Sequence, residues 1–153
     1  MEEHEYRATY RALNQRRCVF EKAINSRRCS CAQSARFNLA DREGVACETD
    51  AGNALCIELL DSMRRNARFS LHITHAKGQL PHAKEIRVQI GGLLGLQKLL
   101  YPDRVQADSV QNINGLATEA LERYRRIEDL PYALIVQAIV SFEGRRKRVR
   151  PLK

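Results

Sequence analysis

The stretch HAKEIRVQIGGLLGLQKLL, His82 to Leu100, decides between two folds. Read with a period of two, Glu85 to Ile90 alternates polar and apolar residues. It would then pair with Phe69 to Ile73, where Phe69, Leu71 and Ile73 alternate with Ser70 and His72, to make a short hairpin within 69–90. Read with a helical period, Ile86, Ile90, Leu93, Leu94 and Tyr101 fall on one stripe, and Pro81 stands where a proline suits a first turn. The helix accounts for more of the residues and is the preferred reading. Its cost lies in Gly91, Gly92 and Gly95, since a glycine inside a helix is about 1 kcal/mol worse than alanine. A close approach by a neighbouring helix or a bound group would compensate. The glycines lack the G-x-G-x-x-G order of dinucleotide sites and the Gly-Lys-Ser/Thr ending of a phosphate loop.

Outward from this stretch, the same period predicts a long first helix over Glu5 to Arg27, with Tyr6, Tyr10, Leu13, Phe20 and Ile24 near helical spacing. A turn around Arg27 to Cys31 leads to a short helix, Ala32 to Arg42, stopped by Gly44. Thr49 or Asp50 caps a third helix with Leu55, Leu59, Leu60, Met63 and Ala67 inward. Asp108 or Ser109 caps another that runs to Glu128, and Pro131 opens a last, nearly all-apolar helix, Tyr132 to Phe142. These elements predict a mainly α fold: a single bundle-like helical domain over residues 1–144, followed by a basic tail, 145–153.

Composition agrees with a folded chain. Its 153 residues are 44% hydrophobic and 29% charged, with a mean hydropathy of −0.45. The most apolar runs, Leu93 to Leu100 and Ala133 to Val140, fall well short of the roughly 20 residues of a membrane span. The acidic start Met1 to Glu5 is the reverse of a secretory signal, so a cytoplasmic location with reduced thiols is expected. The net charge of +8 favours an anionic partner: an acidic protein, a larger enzyme complex or nucleic acid. Arg145, Arg146, Lys147, Arg148 and Arg150 are the candidate anion-binding residues.

All five cysteines, Cys18, Cys29, Cys31, Cys47 and Cys56, fall in the first 56 residues. An odd set in a reducing compartment reads as metal ligands, reactive thiols or small apolar packing residues rather than as disulfides. Four thiolates suffice for an iron-sulfur cluster or a structural zinc, leaving one cysteine over. The chain has no C-x2-C pair of the kind that zinc sites use, which tilts the expectation to iron, with a 4Fe-4S cluster favoured and zinc the alternative. Cys56 shares a helix face with Leu59, Leu60 and Met63 and should point inward, while Cys29 or Cys31 is the expected spare. Arg16, Arg17, Arg27, Arg28 and Arg36 lie nearby in sequence, able to offset a cluster's negative charge and lower thiol pKa values. His72, His75 and His82 are second-rank ligands, since their spacing matches no known set.

The segment from Cys18 to Cys56, with Phe20-Glu21-Lys22 and Cys29-Ser30-Cys31, resembles small cysteine-rich bacterial iron-sulfur proteins over that region alone. The resemblance implies cluster binding and assigns no activity. Two functions are therefore expected to compete. One is an iron-sulfur protein acting in electron transfer, redox sensing or as a small accessory subunit. The other is a basic nucleic-acid-binding module with structural zinc or packing cysteines. No G-x-S-x-G, H-E-x-x-H or paired-carboxylate arrangement supports hydrolase chemistry.

Overall fold

The computed structural model describes residues 1–73, 80–104 and 108–142. In chain order it contains α1 (Glu3–Leu13), α2 (Glu21–Asn25), β1 (Ser34–Leu39), β2 (Arg42–Cys47), α3 (Asp50–Ala67), α4 (His82–Ile86), a π turn (Arg87–Gly91), α5 (Gly92–Leu100), α6 (Ile113–Tyr124), a 3-10 turn (Ile127–Asp129) and α7 (Tyr132–Ser141). The described chain is mostly helical, with one two-stranded antiparallel hairpin.

His82 to Leu100 is helical throughout, as its apolar stripe requires. Gly92 is explained by Met63 of α3, whose sulfur a Cβ there would meet at 2.6 Å, and Gly91 and Gly95 by α7. A Cβ on Gly91 would stand 2.9 Å from the Ile139 Cα, and one on Gly95 would stand 2.7 Å from the Ala138 Cβ, so only glycine lets these helices approach so closely. The contact buries Leu93, Leu96, Ile135 and Ile139 completely, each contributing roughly 1.5–3 kcal/mol. Although apolar nearly all round, α7 leaves Leu134 and Val140 exposed. Facing it, α3 begins as expected, with the Thr49 hydroxyl accepting from the Gly52 amide at 3.1 Å, and contributes Leu59, Leu60 and Met63 to the core.

The hairpin lies elsewhere than its expected place. Phe69 to Leu71 continue from α3 into a turn, with Leu71 N–H donating to Ala67, and residues 85–90 are helical. Among the described residues of 69–90 no strand forms. Instead, residues 32–42, expected as a helix, supply β1, and Gly44 is a strand residue opposite Phe37 rather than a helix stop. A Cβ on Gly44 would meet the Phe37 ring at 2.3 Å, so the ring covers the bare strand backbone. The turn carries no asparagine or glycine, and Ala40 is held at φ 55°. This is why its sequence carries no hairpin signal.

The long first helix also divides. After Leu13, Asn14 turns inward and its amide donates to the Val45 carbonyl at 3.0 Å and the Tyr10 hydroxyl at 2.9 Å. Residues 16–18 then run extended along β2, with Cys18 N–H donating to Val45 and Cys47 N–H donating to Arg16. Glu21, at the start of α2, fixes this junction by accepting from the Val45 amide at 2.7 Å and the Tyr10 hydroxyl at 2.5 Å. At the other end, α6 starts at Ile113 rather than at Asp108 or Ser109 and ends at Tyr124 before a separate 3-10 turn.

Candidate metal centre

Four of the five cysteines reach one place by four different routes. Cys18 is set by the extended segment pinned to β2. Cys31 precedes the turn into β1, where the Ser34 amide and hydroxyl both bond its carbonyl, the hydroxyl at 2.7 Å. Cys47 ends β2, directly opposite Ser34. Cys56 sits two turns into α3, on the face that also carries Gly52, Leu59, Leu60 and Met63. Together with Val19, Gln33, Ser34, Ala46, Asn53, Ile113 and Asn114, these four line one cavity of about 10 Å³. That is room for a single water-sized body. Asn53 ties its wall together, its amide donating to the Arg17 carbonyl at 2.9 Å.

Cys29 stands apart. Val110 forms a parallel bridge with it, the Ser30 amide donating to Val110 and the Val110 amide donating to Arg28, so that the Cys29 side chain enters the core. It packs as a small apolar residue, and burial raises its thiol to about 11.

The electrostatics of the four-cysteine cavity differ from expectation. Burial, the largest cause, pushes the Cys18 thiol up to about 12, with Cys31, Cys47 and Glu21 adding to the rise and a backbone bond at Phe20 opposing it. Burial likewise pushes Cys56 to about 12, reinforced by Cys18, Cys31 and Cys47 and opposed by a hydrogen bond with the Asn114 side chain. The flanking arginines do not lower these thiols, because they are occupied elsewhere. Arg16 bonds Asp50 at 2.7 Å, Arg17 pairs with Glu21, Arg27 with Glu43, and Arg36 donates to the Ile24 carbonyl. Arg28 lies over the Phe142 ring, its centre 4.8 Å away, on the Cys29 side.

Neither His72 nor His82 is drawn into the site. His82 opens α4 with its Nδ1 2.6 Å from Lys22 Nζ, and His72 lies exposed with its carbonyl accepting from Lys84. His75 lies outside the described residues, as do Arg145, Arg146, Lys147, Arg148 and Arg150. Among the described residues, no group of three or more His, Cys, Asp or Glu side chains is set to hold a metal ion as the chain stands. The four thiols thus surround a shared space without closing on a point. As a donor set they suit a soft metal or an iron-sulfur cluster, whereas the room between them is that of one small body.

Two participants escape sequence reasoning. Asn53 and Asn114 carry no motif, and Asn114 lies 58 positions beyond Cys56, so only the packing of α6 against α3 brings it there. Among the described residues no helix is long and apolar enough to cross a membrane. Comparison with protein-family models, with curated proteins and with solved structures finds no match.

Proposed function

We propose that Cys18, Cys31, Cys47 and Cys56 ligate an iron-sulfur cluster, a 4Fe-4S cluster by preference, and that the protein acts in electron transfer, redox sensing or as a small accessory subunit of a larger enzyme. The observation that supports this most is the gathering of four thiols from two loops, a strand end and a helix around one cavity, while the fifth is turned away. Four cysteine thiolates are the usual ligand set of such clusters. A bare zinc ion wants four donors at about 2.0–2.3 Å in a tight tetrahedron, and the described side chains are not drawn together in that way. A cluster holds its ligands farther apart.

The cavity must widen to accept one. Cys18, Cys31 and Cys47 are all tied to the hairpin, Cys18 through its N–H to Val45, so outward movement of that edge relative to α3, which carries Cys56, would open the space. Binding also displaces thiol protons, which couples loading to pH. Once bound, the cluster would supply one-electron chemistry, and the protein's part is to hold, insulate and tune it.

Anaerobic reconstitution with ferrous iron and sulfide provides the test. The expected product is brown, bleaches with dithionite and contains iron and sulfide. Serine at Cys18, Cys31, Cys47 or Cys56 should prevent formation, and Cys29→Ser should not. A colourless, iron-free product would refute the reading. The small cavity favours a second one, structural zinc on the same four thiols, and metal analysis of the purified protein separates the two.

A further inference from the structure

Phe69 is the most exposed large apolar side chain among the described residues, 95% open to solvent just after α3. The turn that carries it is otherwise packed: Leu71 is buried, Ile73 is half-buried, and His72, at φ 54°, bends the chain back with its N–H donating to the Phe69 carbonyl at 3.3 Å. The ring thus stands out from a turn whose other apolar residues face the core. Its surroundings are cationic. Arg68 precedes it, the His72 carbonyl accepts from Lys84 Nζ at 3.4 Å, and the exposed Arg87 lies three residues further along the same continuous helix. At the start of that helix, His82 Nδ1 is 2.6 Å from Lys22 Nζ, so these contacts join the end of α3, α4 and α2 into one surface. The carboxylates within it are turned inward. Glu21 is bonded to Val45 and Tyr10, Glu85 is fully buried on Arg64 and Gln89, and Asp61 on the α3 flank is paired with Arg64. What this surface presents to solvent is positive charge around one bare aromatic ring.

We infer that this surface binds single-stranded nucleic acid, with a base stacked on Phe69 and backbone phosphates held by Lys84, Arg87 and Lys22. A single strand offers unpaired base faces and a run of negative charge together, and an aromatic ring set among cations takes both without reading sequence. A duplex keeps its base faces stacked inside and would leave the ring bare. An acidic protein would meet the cations but has no need of a planar ring beside them. Nothing in this surface depends on the cysteine cavity or on what it holds.

Fluorescence anisotropy of the full chain with a labelled oligo-dT strand, a hairpin DNA duplex and a poly-glutamate peptide provides the test. Phe69→Ala should weaken binding to oligo-dT about tenfold and leave the duplex unchanged, while Phe69→Tyr, which keeps a ring, should bind oligo-dT as wild type does. Replacing Lys84 and Arg87 together by glutamine should make the plot of log Kd against log salt shallower by about 1.4, since each phosphate contact on a single strand contributes about 0.7. Equal affinity of wild type and Phe69→Ala for oligo-dT would overturn the inference. So would a salt slope that the double substitution does not change, because binding would then lie elsewhere on the chain. Tighter binding to poly-glutamate than to oligo-dT would overturn it in favour of an acidic protein partner, and binding to none of the three would overturn it outright.

Discussion

Two buried groups of ionisable side chains show opposite electrostatics. Glu85 is fully buried, yet its carboxyl lies below the usual range. Burial alone would raise it, but hydrogen bonds from Arg64 and Gln89 and the Arg64 charge outweigh that. Arg64 reaches it at 2.5 Å, Gln89 Nε2 donates to it at 3.0 Å, and the Leu80 amide at 3.2 Å. Gln89 sits in the π turn, and its Oε1 accepts from Ala23 N–H at 3.1 Å, so the network joins α2, α3 and the α4–α5 helix. Cys56 is buried too and Cys18 half-buried, but they face other thiols instead of a cation and are pushed up to about 12. One site is complete within the chain. The other keeps its Cys18 and Cys56 thiols in the neutral, protonated form.

The largest effect expected is all-or-none. Cys56→Ser should abolish iron uptake and Cys29→Ser should leave it intact, measured as iron per chain after reconstitution; equal loss in both would erase the distinction between the ligating set and the packing cysteine. Next in size, Arg64→Met leaves the buried Glu85 charge without its partner and should cost about 3–5 kcal/mol in urea unfolding, as broken buried pairs do. A cost below 1 kcal/mol would show that the pair is not the closed, self-sufficient site described.

Acidity separates the two sites further. The Cys18 and Cys56 thiols ionise at about 12 in the fold against 9.0 otherwise, so the metal-free fold favours protonated sulfur. That contribution is complete below pH 9 and should be lost as pH rises toward 12, whereas the Glu85 contribution is present above its ordinary 4.5 and fades as pH falls below it. Denaturant midpoints across pH will test both limbs, and replacing Cys18 and Cys56 by serine should flatten the alkaline one. The smallest effect belongs to the hairpin that carries Cys47: Ala40→Gly at φ 55° should stabilise the protein by about 0.5–1 kcal/mol, read as a raised urea midpoint.

Sequence periodicity was sufficient where a helix is long and its apolar stripe unbroken. His82 to Leu100, α3 and α7 are legible for that reason, as are the Thr49 cap and the need for something to approach Gly91 and Gly95. It failed around the cysteines. Residues 14–20 carry no Gly or Pro to announce a break; what ends α1 is the pairing of residues 16–18 with β2 and the burial of Asn14, neither of which is a local signal. Ala40 gives no turn signature for the hairpin.

By itself, then, the sequence determined that the chain is mainly helical, that all five cysteines fall in its first 56 residues, and that Cys56 faces inward, because these follow from composition and from residues three or four apart. The tertiary structure decided which four thiols share a cavity, that Cys29 is the one turned away, and that the arginines are engaged elsewhere while Asn114 reaches the site. Those outcomes depend on contacts between residues far apart in sequence, such as Ala32 N–H to Asn112 and Arg28 over Phe142, and no local pattern encodes them.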